Sequence, residues 1–349
     1  MSEHPSPPGI DTEAVESWIA ERSGTLTPPF RWIRLEGGHS NLTYRVEDAN
    51  GREAVVRRPP EGKLLPKAHD MGREWKIISA LAPTPVPVAP PIAYCEDPTV
   101  TGAHFYVMGC VPGRALYEGA DVIDAVPEAS RRPLSFSFID VLAELHALDP
   151  DAIGLGDLGR PDAYVARQLK RWYGSWESSR DAAQIDLPVV DALHKLLSAR
   201  VPEQESGRVV HGDYGLHNCL ASADGRIAAV LDWEISTLGD PLADLAYALN
   251  TWSEPGDKIT LKDDAPTDQP GFATRAEMLS RYAERSGRDV SGIAYYTAFN
   301  FWKTACIIQG VYARYKQGQK STEGIDLDYL RERVVRSAKL ADDAASALA

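Results

Sequence analysis

The hydrophobic pattern of the chain changes near Cys110, and this change limits the folds open to it. Before Cys110, short strand-like runs alternate with turn signals such as Asn50-Gly51, a dipeptide typical of β-hairpins. After Cys110, helical periodicity dominates. The sequence therefore predicts an α+β chain with a small β-rich lobe over residues 1–111 and a larger, mainly helical lobe over residues 112–349.

Each lobe can be divided further from its pattern. In the small lobe, extended runs are expected at 31–35, 43–46, 53–57, 92–95 and 104–108, with helices at 11–22 and 69–82. In the larger lobe, helices are expected at 133–148, 161–180, 187–200, 241–252, 272–286, 292–316 and 324–346. Short strands are expected near 208–210, 219–221 and 226–231, and residues 253–271, rich in acidic side chains and proline, indicate a surface loop.

Composition excludes several classes of protein. Hydrophobic residues make up 44% of the 349 and charged ones 25%, which is typical of a globular chain. Acidic residues outnumber basic ones by 50 to 37 and are in excess in both lobes, so a nucleic-acid partner is not expected. Four scattered cysteines without a C-x-x-C pair favour a reducing compartment. With no membrane-length apolar run and no signal-peptide pattern, we expect a cytoplasmic protein without a membrane partner; its oligomeric state is left open.

The most informative stretch follows an apolar run at Val209-Val210. It contains His211-Gly212-Asp213, then Asn218 five residues after the aspartate, and finally Asp232 after a hairpin. Because a hairpin brings its flanking residues together, we expect Asp213, Asn218 and Asp232 to converge at one end of a small sheet. Two carboxylates and an amide oxygen suit Mg²⁺ with phosphate oxygens. Phosphoryl transfer needs such a group of ligands, together with a carboxylate that orients or deprotonates the attacking hydroxyl.

At these residues the chain resembles the aminoglycoside phosphotransferase family, small-molecule kinases related to choline kinase that share the protein-kinase fold. His211-Gly212-Asp213-x4-Asn218 is similar to its H-G-D-x4-N catalytic loop, and Leu231-Asp232-Trp233-Glu234 to its metal-binding segment. The resemblance implies a bilobal protein-kinase-like fold with ATP and Mg²⁺ as cofactors. It also implies that Asp213 is the catalytic base and that Asn218 and Asp232 are the Mg²⁺ ligands.

The small lobe carries weaker parts of the same resemblance. Gly37, Gly38 and Ser40 lie between two strand-like runs, where kinases fold a hairpin over the ATP phosphates. Glycines there let backbone N–H groups approach the phosphates, although the segment alone also fits an ordinary glycine turn. Met108 and Cys110 occupy the place of the kinase hinge, whose backbone binds adenine.

Arg57 occupies the place of the kinase strand lysine. Arginine keeps the charge but is longer and planar, so the exchange is not conservative. Arg58 is the neighbouring candidate, and since successive strand residues face opposite sides, only one of the two can face the nucleotide. Glu74 matches the glutamate that pairs with the strand cation in kinases; the alternative is a surface role on its helix.

Three further acidic or basic side chains are expected to have supporting roles. Asp240 precedes Pro241 and fits a helix N-cap followed by proline at the first helical position. Asp244 matches a family segment and is expected to support the catalytic loop. His146 is expected to pack or cap rather than to catalyse.

These patterns predict a phosphotransferase that moves the γ-phosphoryl group of ATP to a hydroxyl of a small molecule. Arg57 keeps a second interpretation open, a nucleotide-binding module of the pseudokinase kind with weak or no activity, and a metal-dependent hydrolase is a third. An aminoglycoside acceptor would suit carboxylates from residues 253–271. Residues 55–60 and 105–108 instead most resemble kinase-like domains fused to acyl-CoA dehydrogenases, which implies a hydroxyacyl acceptor.

Overall fold

A computed structural model describes residues 7–35, 41–62, 69–205, 207–319, 322 and 324–348. The chain forms two compact units, one of Met1–Gly113 with Ala228–Ile235 and the other of Arg114–Ile227 with Ser236–Ala349. The segment that carries Asp232 therefore belongs to the first unit, although it lies beyond the lobe boundary expected from the sequence. It is joined to that unit through Val230, whose N–H donates to the carbonyl oxygen of Pro87 at 2.8 Å.

The first unit is built on one antiparallel sheet and two helices. Its elements are α1 (Thr12–Ser23), β1 (Arg31–Arg34), β2 (Leu42–Glu47), β3 (Glu53–Arg58), α2 (Met71–Leu81), β4 (Pro91–Cys95) and β5 (Phe105–Gly109). The strands are ordered β1-β2-β3-β5-β4. Gly51, at φ 77°, makes the predicted turn between β2 and β3, because glycine enters the left-handed region at little cost.

The two faces of β3 have different surroundings. Ala54 and Val56 lie on the face that packs into an apolar core with Val15 and Ile19 of α1. Because side chains alternate along a strand, the odd-numbered positions face the other side of the sheet. Arg57 is on that second face, paired across the strands with Tyr106 of β5.

The second unit is mainly helical. Its helices are α3 (Gly119–Ala125), α4 (Glu128–Ala147), α5 (Tyr164–Ala183), α6 (Pro188–Ala199), α7 (Pro241–Asn250), α8 (Arg275–Ser286), α9 (Ile293–Lys316) and α10 (Leu327–Ala345). Its strands are β6 (Arg208–Val210), β7 (Cys219–Ala221) and β9 (Thr237–Gly239), while β8 (Ile227–Val230) leads into the first unit. The core is centred on α9, where Trp302, Ala305 and Cys306 are fully buried.

The predicted α+β class is confirmed, and every helix expected from periodicity is present within a few residues of its expected bounds. The sequence missed α3 and β9. Both are too short to show a hydrophobic period, and β9 is a strand only because it pairs with β6, for example Leu238 with Val209. Among the described residues, no helix combines the length and apolar character needed to cross a bilayer.

Candidate functional site

The loop after β6 is held in place by a buried carboxylate. Gly212 has φ 86°, a conformation that glycine adopts readily. The N–H groups of His211 and Gly212 both donate to Asp244, at 2.7 and 2.8 Å, and His146 Nε2 lies 3.3 Å from the same carboxylate. Burial alone would raise the pKa of Asp244, but the hydrogen bond from His146 and the loop N–H groups lower it. Asp244 is therefore an ionised anchor for the loop, in agreement with its expected supporting role.

The carboxylate of Asp213 is held by three side chains. The hydroxyl of Tyr247 donates to Oδ1, and His217 Nε2 lies 3.5 Å from the same oxygen. The amide nitrogen of Asn218 donates to Oδ2 at 3.1 Å and to the backbone oxygen of Asp213 at 2.9 Å. His211 accepts from the Asp213 N–H through Nδ1 at 3.3 Å. Asp213 thus points in a defined direction, and the amide oxygen of Asn218 remains as an acceptor or metal ligand.

Electrostatics keep this carboxylate charged. Burial alone would raise the pKa of Asp213, but the hydrogen bond and charge of His217 and the hydrogen bond of Tyr247 lower it to about 2. Burial and the charge of Asp213 raise the pKa of Tyr247 well above its usual value, so its hydroxyl remains a donor. At neutral pH Asp213 is therefore an ionised acceptor.

Sequence reasoning missed Tyr247 and His217 as neighbours of the expected base. Tyr247 follows Asp244 by three positions on α7, so both lie on one helix face, and this spacing was the signal available. The spacing of His217 fits no metal-ligand pattern. That criterion does not test for a hydrogen bond to a carboxylate four residues earlier.

Arg57 forms the predicted pair with Glu74. Its Nε and Nη2 donate to the two oxygens of Glu74 at 2.9 and 3.1 Å, and Tyr106 donates its hydroxyl to Glu74 Oε2 at 2.8 Å. Glu74 is 1% exposed, so the alternative of a surface helix role is wrong. Burial alone would lower the pKa of Arg57, but the charges of Glu74 and Asp232 raise it well above its ordinary value.

Arg58 points away from this cluster. It donates to the carbonyl oxygens of Pro59 and Thr101, each at 3.0 Å. Because side chains alternate along β3, only Arg57 lies on the face of the strand that contacts Glu74, and Arg58 lies on the other face.

Asp232 lies beside the same cluster, with Arg57 Nη2 donating to its Oδ1 at 2.8 Å. It has φ 59°, a conformation that costs about 1–2 kcal/mol for residues other than glycine and recurs at functional positions. In the described part of the chain, Glu74, Asp232 and Glu234 each offer an oxygen within 4.8 Å of the others. Such hard oxygens fit Mg²⁺. Glu74 already accepts three hydrogen bonds, so Asp232, one of the two predicted ligands, is the member of this cluster that the predicted metal site uses. Glu234 was not predicted.

The other predicted site residues fall into two groups. Met108 pairs with Val55 at the end of β5, and Cys110 follows that strand; their role as a nucleotide-binding hinge stays a prediction. Gly37, Gly38 and Ser40 lie outside the described residues.

The three residues expected to converge are divided between the units. Asp213 and Asn218 contact each other in the second unit, whereas Asp232 contacts Arg57 in the first. Their meeting in one site stays a prediction.

Three of the five carboxylates in residues 253–271 form ion pairs. Arg275 pairs with Glu254 at 2.9 Å and with Asp257 at 2.6 Å. Asp263 pairs with Arg336 at 2.6 Å. These ion pairs neutralise three carboxylates that the sequence had offered as the lining of an acidic cleft.

A five-stranded sheet with an Arg–Glu pair, followed by a helical unit with an H-G-D-x4-N loop, defines a kinase-like small-molecule phosphotransferase. The chain belongs to the phosphotransferase enzyme family, whose family model matches residues 31–288. Similar solved structures include a Ralstonia eutropha protein provisionally assigned as an aminoglycoside phosphotransferase, at 32% identity and a TM-score of 0.78 over 96% of this chain and 99% of that one.

Two further comparisons extend the similarity. The macrolide 2'-phosphotransferase of Brachybacterium faecium shares the fold, with a TM-score of 0.60 and 21% identity over 94% of this chain and 97% of that one. Mouse acyl-CoA dehydrogenase family member 11 is 37% identical over 83% of this chain and 37% of its own length. The chain spans less than half the length of the curated relatives it matches.

Proposed function

We propose that the chain transfers the γ-phosphoryl group of ATP, with Mg²⁺, to a hydroxyl of a small molecule, either aminoglycoside-like or a hydroxyacyl compound. The observation that carries this proposal is the carboxylate of Asp213, which is ionised, partly buried and fixed by Tyr247 and Asn218. A general base has to be ionised and held within hydrogen-bond reach of a hydroxyl, and Asp213 meets both requirements.

On the acceptor side, Asp213 receives the proton of the attacking hydroxyl or orients that hydroxyl for attack. Tyr247 and Asn218 hold the carboxylate in a fixed direction before the acceptor arrives. The buried Asp244 keeps the loop that carries Asp213 in its conformation.

On the nucleotide side, Arg57 contacts phosphate oxygens and Glu74 holds its guanidinium in position. Mg²⁺, when bound, neutralises negative charge on the phosphates. Asn218 and Asp232 would hold it through hard oxygen atoms, which is the donor set that this ion prefers. The remaining proposed nucleotide contacts come from the backbone or short side chains of Gly37, Gly38, Ser40, Met108 and Cys110.

The second candidate is a nucleotide-binding module of the pseudokinase kind. One observation favours it: the cation that replaces the usual lysine donates to Asp232 at 2.8 Å. An arginine that remains on Asp232 competes with the metal for that carboxylate. In this case ATP would bind without productive transfer.

The test is to incubate the protein with ATP and a panel of hydroxyl compounds, with and without Mg²⁺, and to follow ADP and phosphorylated product. The proposal expects both to form in equal amounts and only with Mg²⁺. Asp232→Asn should abolish turnover even with Mg²⁺, whereas Asp224→Asn, on an exposed hairpin turn, should behave as wild type. Metal-dependent ATP binding without turnover would favour the binding module, and ATP loss without phosphorylated product would favour a hydrolase.

We also place this reaction in the cytoplasm. All four cysteines, Cys95, Cys110, Cys219 and Cys306, are free thiols, which suits a reducing compartment. The proposed partner is the small-molecule acceptor, and the net charge of −13 argues against nucleic acid.

A further inference from the structure

The second unit contains a cavity of about 260 Å³ beside Asp213. Two of the side chains that hold this carboxylate, Tyr247 and His217, form part of the cavity wall. Asp213 itself does not line the cavity, so an acceptor seated there would bring its hydroxyl to the carboxylate at the place where Tyr247 and His217 now contact it. The cavity is the natural acceptor site for the proposed reaction.

The charged side chains that line the cavity are cations. Lys262 and Arg333 both contribute to the wall, and no aspartate or glutamate is among the described residues that line it. Lys262 donates to the carbonyl oxygen of Tyr117 at 2.7 Å, which keeps its charge at the wall. This arrangement attracts an anion and repels a polycation.

Arg333 adds a second observation. Its Nε is buried and hydrogen-bonds to no part of the described chain. The guanidinium carbon lies 5.9 Å from the ring centroid of Tyr329, a contact that gives Nε no acceptor. A buried N–H without an acceptor is costly, so a ligand oxygen at this position would relieve that cost.

The loop over residues 253–271 does not supply the cavity with the carboxylates that a cationic acceptor would need. Its carboxylates Glu254, Asp257 and Asp263 are engaged by Arg275 and Arg336. What the loop gives to the cavity is Lys262 and uncharged residues such as Leu261 and Pro266. Leu116, Leu216 and Trp252 make other walls apolar.

We propose that this cavity binds the acceptor, and that Arg333 and Lys262 select one with an anionic group joined by a short apolar chain to its hydroxyl. The inference rests on the proposed function. A volume of about 260 Å³ lies below the roughly 300–1,000 Å³ of typical ligand pockets, so a slim chain fits better than a multi-ring aminoglycoside. In the transfer step the hydroxyl oxygen bonds to the γ-phosphorus, the bond from that phosphorus to the ADP oxygen breaks, and the hydroxyl proton passes to Asp213.

The test measures binding by calorimetry, without nucleotide, for three probes: 6-hydroxyhexanoate, 1,6-hexanediol and kanamycin. The first two differ only in the carboxylate. Wild type should bind the hydroxy acid about 10- to 100-fold more tightly than the diol, the range that hydrogen bonds to charged groups give, and more tightly than kanamycin. Arg333→Met should lose this preference and Arg333→Lys should retain part of it. Arg331→Met, on the exposed side of the same helix, should match wild type.

Equal binding of acid and diol, tighter binding of kanamycin, or no binding of the acid would each overturn the inference. A parallel assay with Mg²⁺ and ATP separates it from the proposed function. Charge-selective binding without phosphorylation of any probe would uphold the anion-selecting cavity while contradicting the kinase activity. Phosphorylation of the diol and the acid at equal rates would support the kinase activity while contradicting the anion-selecting cavity.

Discussion

Tyr247 helps to orient the carboxylate of Asp213, the expected base. Its hydroxyl donates to Asp213 and it also lines the cavity, so it sits at the position where an acceptor hydroxyl would approach. Asp213 therefore has to exchange this hydrogen bond for one from the acceptor, or share it. The residue is a positioning group in the proposed reaction.

Tyr247→Phe should slow phosphoryl transfer about tenfold, part of the contribution that a positioned base makes. The hydrogen bond from Tyr247 helps to lower the pKa of Asp213, so its loss raises that pKa and moves the acid limb of the pH–rate profile to higher pH. The profile of kcat against pH is the measurement. Tyr312→Phe, on α9, should leave it unchanged, and an identical acid limb in Tyr247→Phe and wild type would contradict the assignment.

Arg57 and Glu74 form a buried ion pair, with side-chain exposures of 13% and 2%. Arg57→Met leaves Glu74 unpaired and should lower the free energy of unfolding by about 3–5 kcal/mol. Adding Glu74→Gln to Arg57→Met removes the unpaired charge and should recover part of the lost stability. A double-mutant cycle, with urea unfolding of wild type, the two single variants and the double variant, would measure this recovery.

Arg226→Met, in the exposed pair with Asp224, serves as the control for that cycle and should not change the unfolding midpoint. If Arg57→Met were as stable as Arg226→Met, the buried pair would have no structural role.

At the scale of elements, α7 organises the catalytic loop. Asp240 caps its N-terminus by accepting from the N–H of Leu242, Asp244 holds the loop N–H groups, and Tyr247 contacts Asp213. The spacing of four and three residues puts these side chains on one side of the helix. A change at the cap is therefore expected to reach the loop through the helix.

Asp240→Ala removes the cap and leaves the hydroxyl of Tyr296 without its acceptor, so it should cost about 1–2 kcal/mol of unfolding free energy. Asp240→Asn keeps a capping oxygen. Burial raises the pKa of Asp240, so its ionised form is less favoured in the folded state, and that penalty grows as pH rises above the ordinary value. Asn should therefore match or exceed wild type at pH 7 in thermal unfolding; equal losses for Ala and Asn would contradict this.

Long elements were predictable and short ones were not. The helices α4 to α10 are long enough for their apolar residues to show helical periodicity. In contrast, β9 is a strand only through its pairing with β6, and α3 is too short to show a period. The same limit applies to the site. Motif spacing predicted Asp213, Asn218 and Asp232 as site residues. The contact of Tyr247 with Asp213 joins two distant segments, and the contact of His217, four residues after Asp213, follows no motif.

At the scale of the whole molecule, net charge proved a poor guide to the acceptor. The net charge of −13 argues against a nucleic-acid partner, yet three of the loop carboxylates are paired with arginines and the charged side chains of the cavity wall are Lys262 and Arg333. Local arrangement of charge, rather than its sum, determines which small molecule is attracted.

Nucleotide binding should stabilise the chain as a whole, and only together with the metal. A ligand at 100 times its dissociation constant raises the free energy of unfolding by about 2.7 kcal/mol. ATP with Mg²⁺ should therefore raise the unfolding midpoint, whereas ATP alone should raise it much less, because without the ion the clustered carboxylates of Glu74, Asp232 and Glu234 would repel the phosphates. Differential scanning fluorimetry with AMP as a control measures this, and equal shifts with and without Mg²⁺ would argue against a metal-linked nucleotide site.

The central claim is that Asp213 is the base of a phosphoryl-transfer reaction. The most direct measurement is the rate of product formation by Asp213→Ala, beside its affinity for ATP with Mg²⁺ and beside the exposed control Asp224→Ala. The account predicts a loss of about 10²- to 10⁴-fold in transfer, the usual contribution of a general base, with ATP affinity largely unchanged. Transfer by Asp213→Ala at the wild-type rate would contradict it.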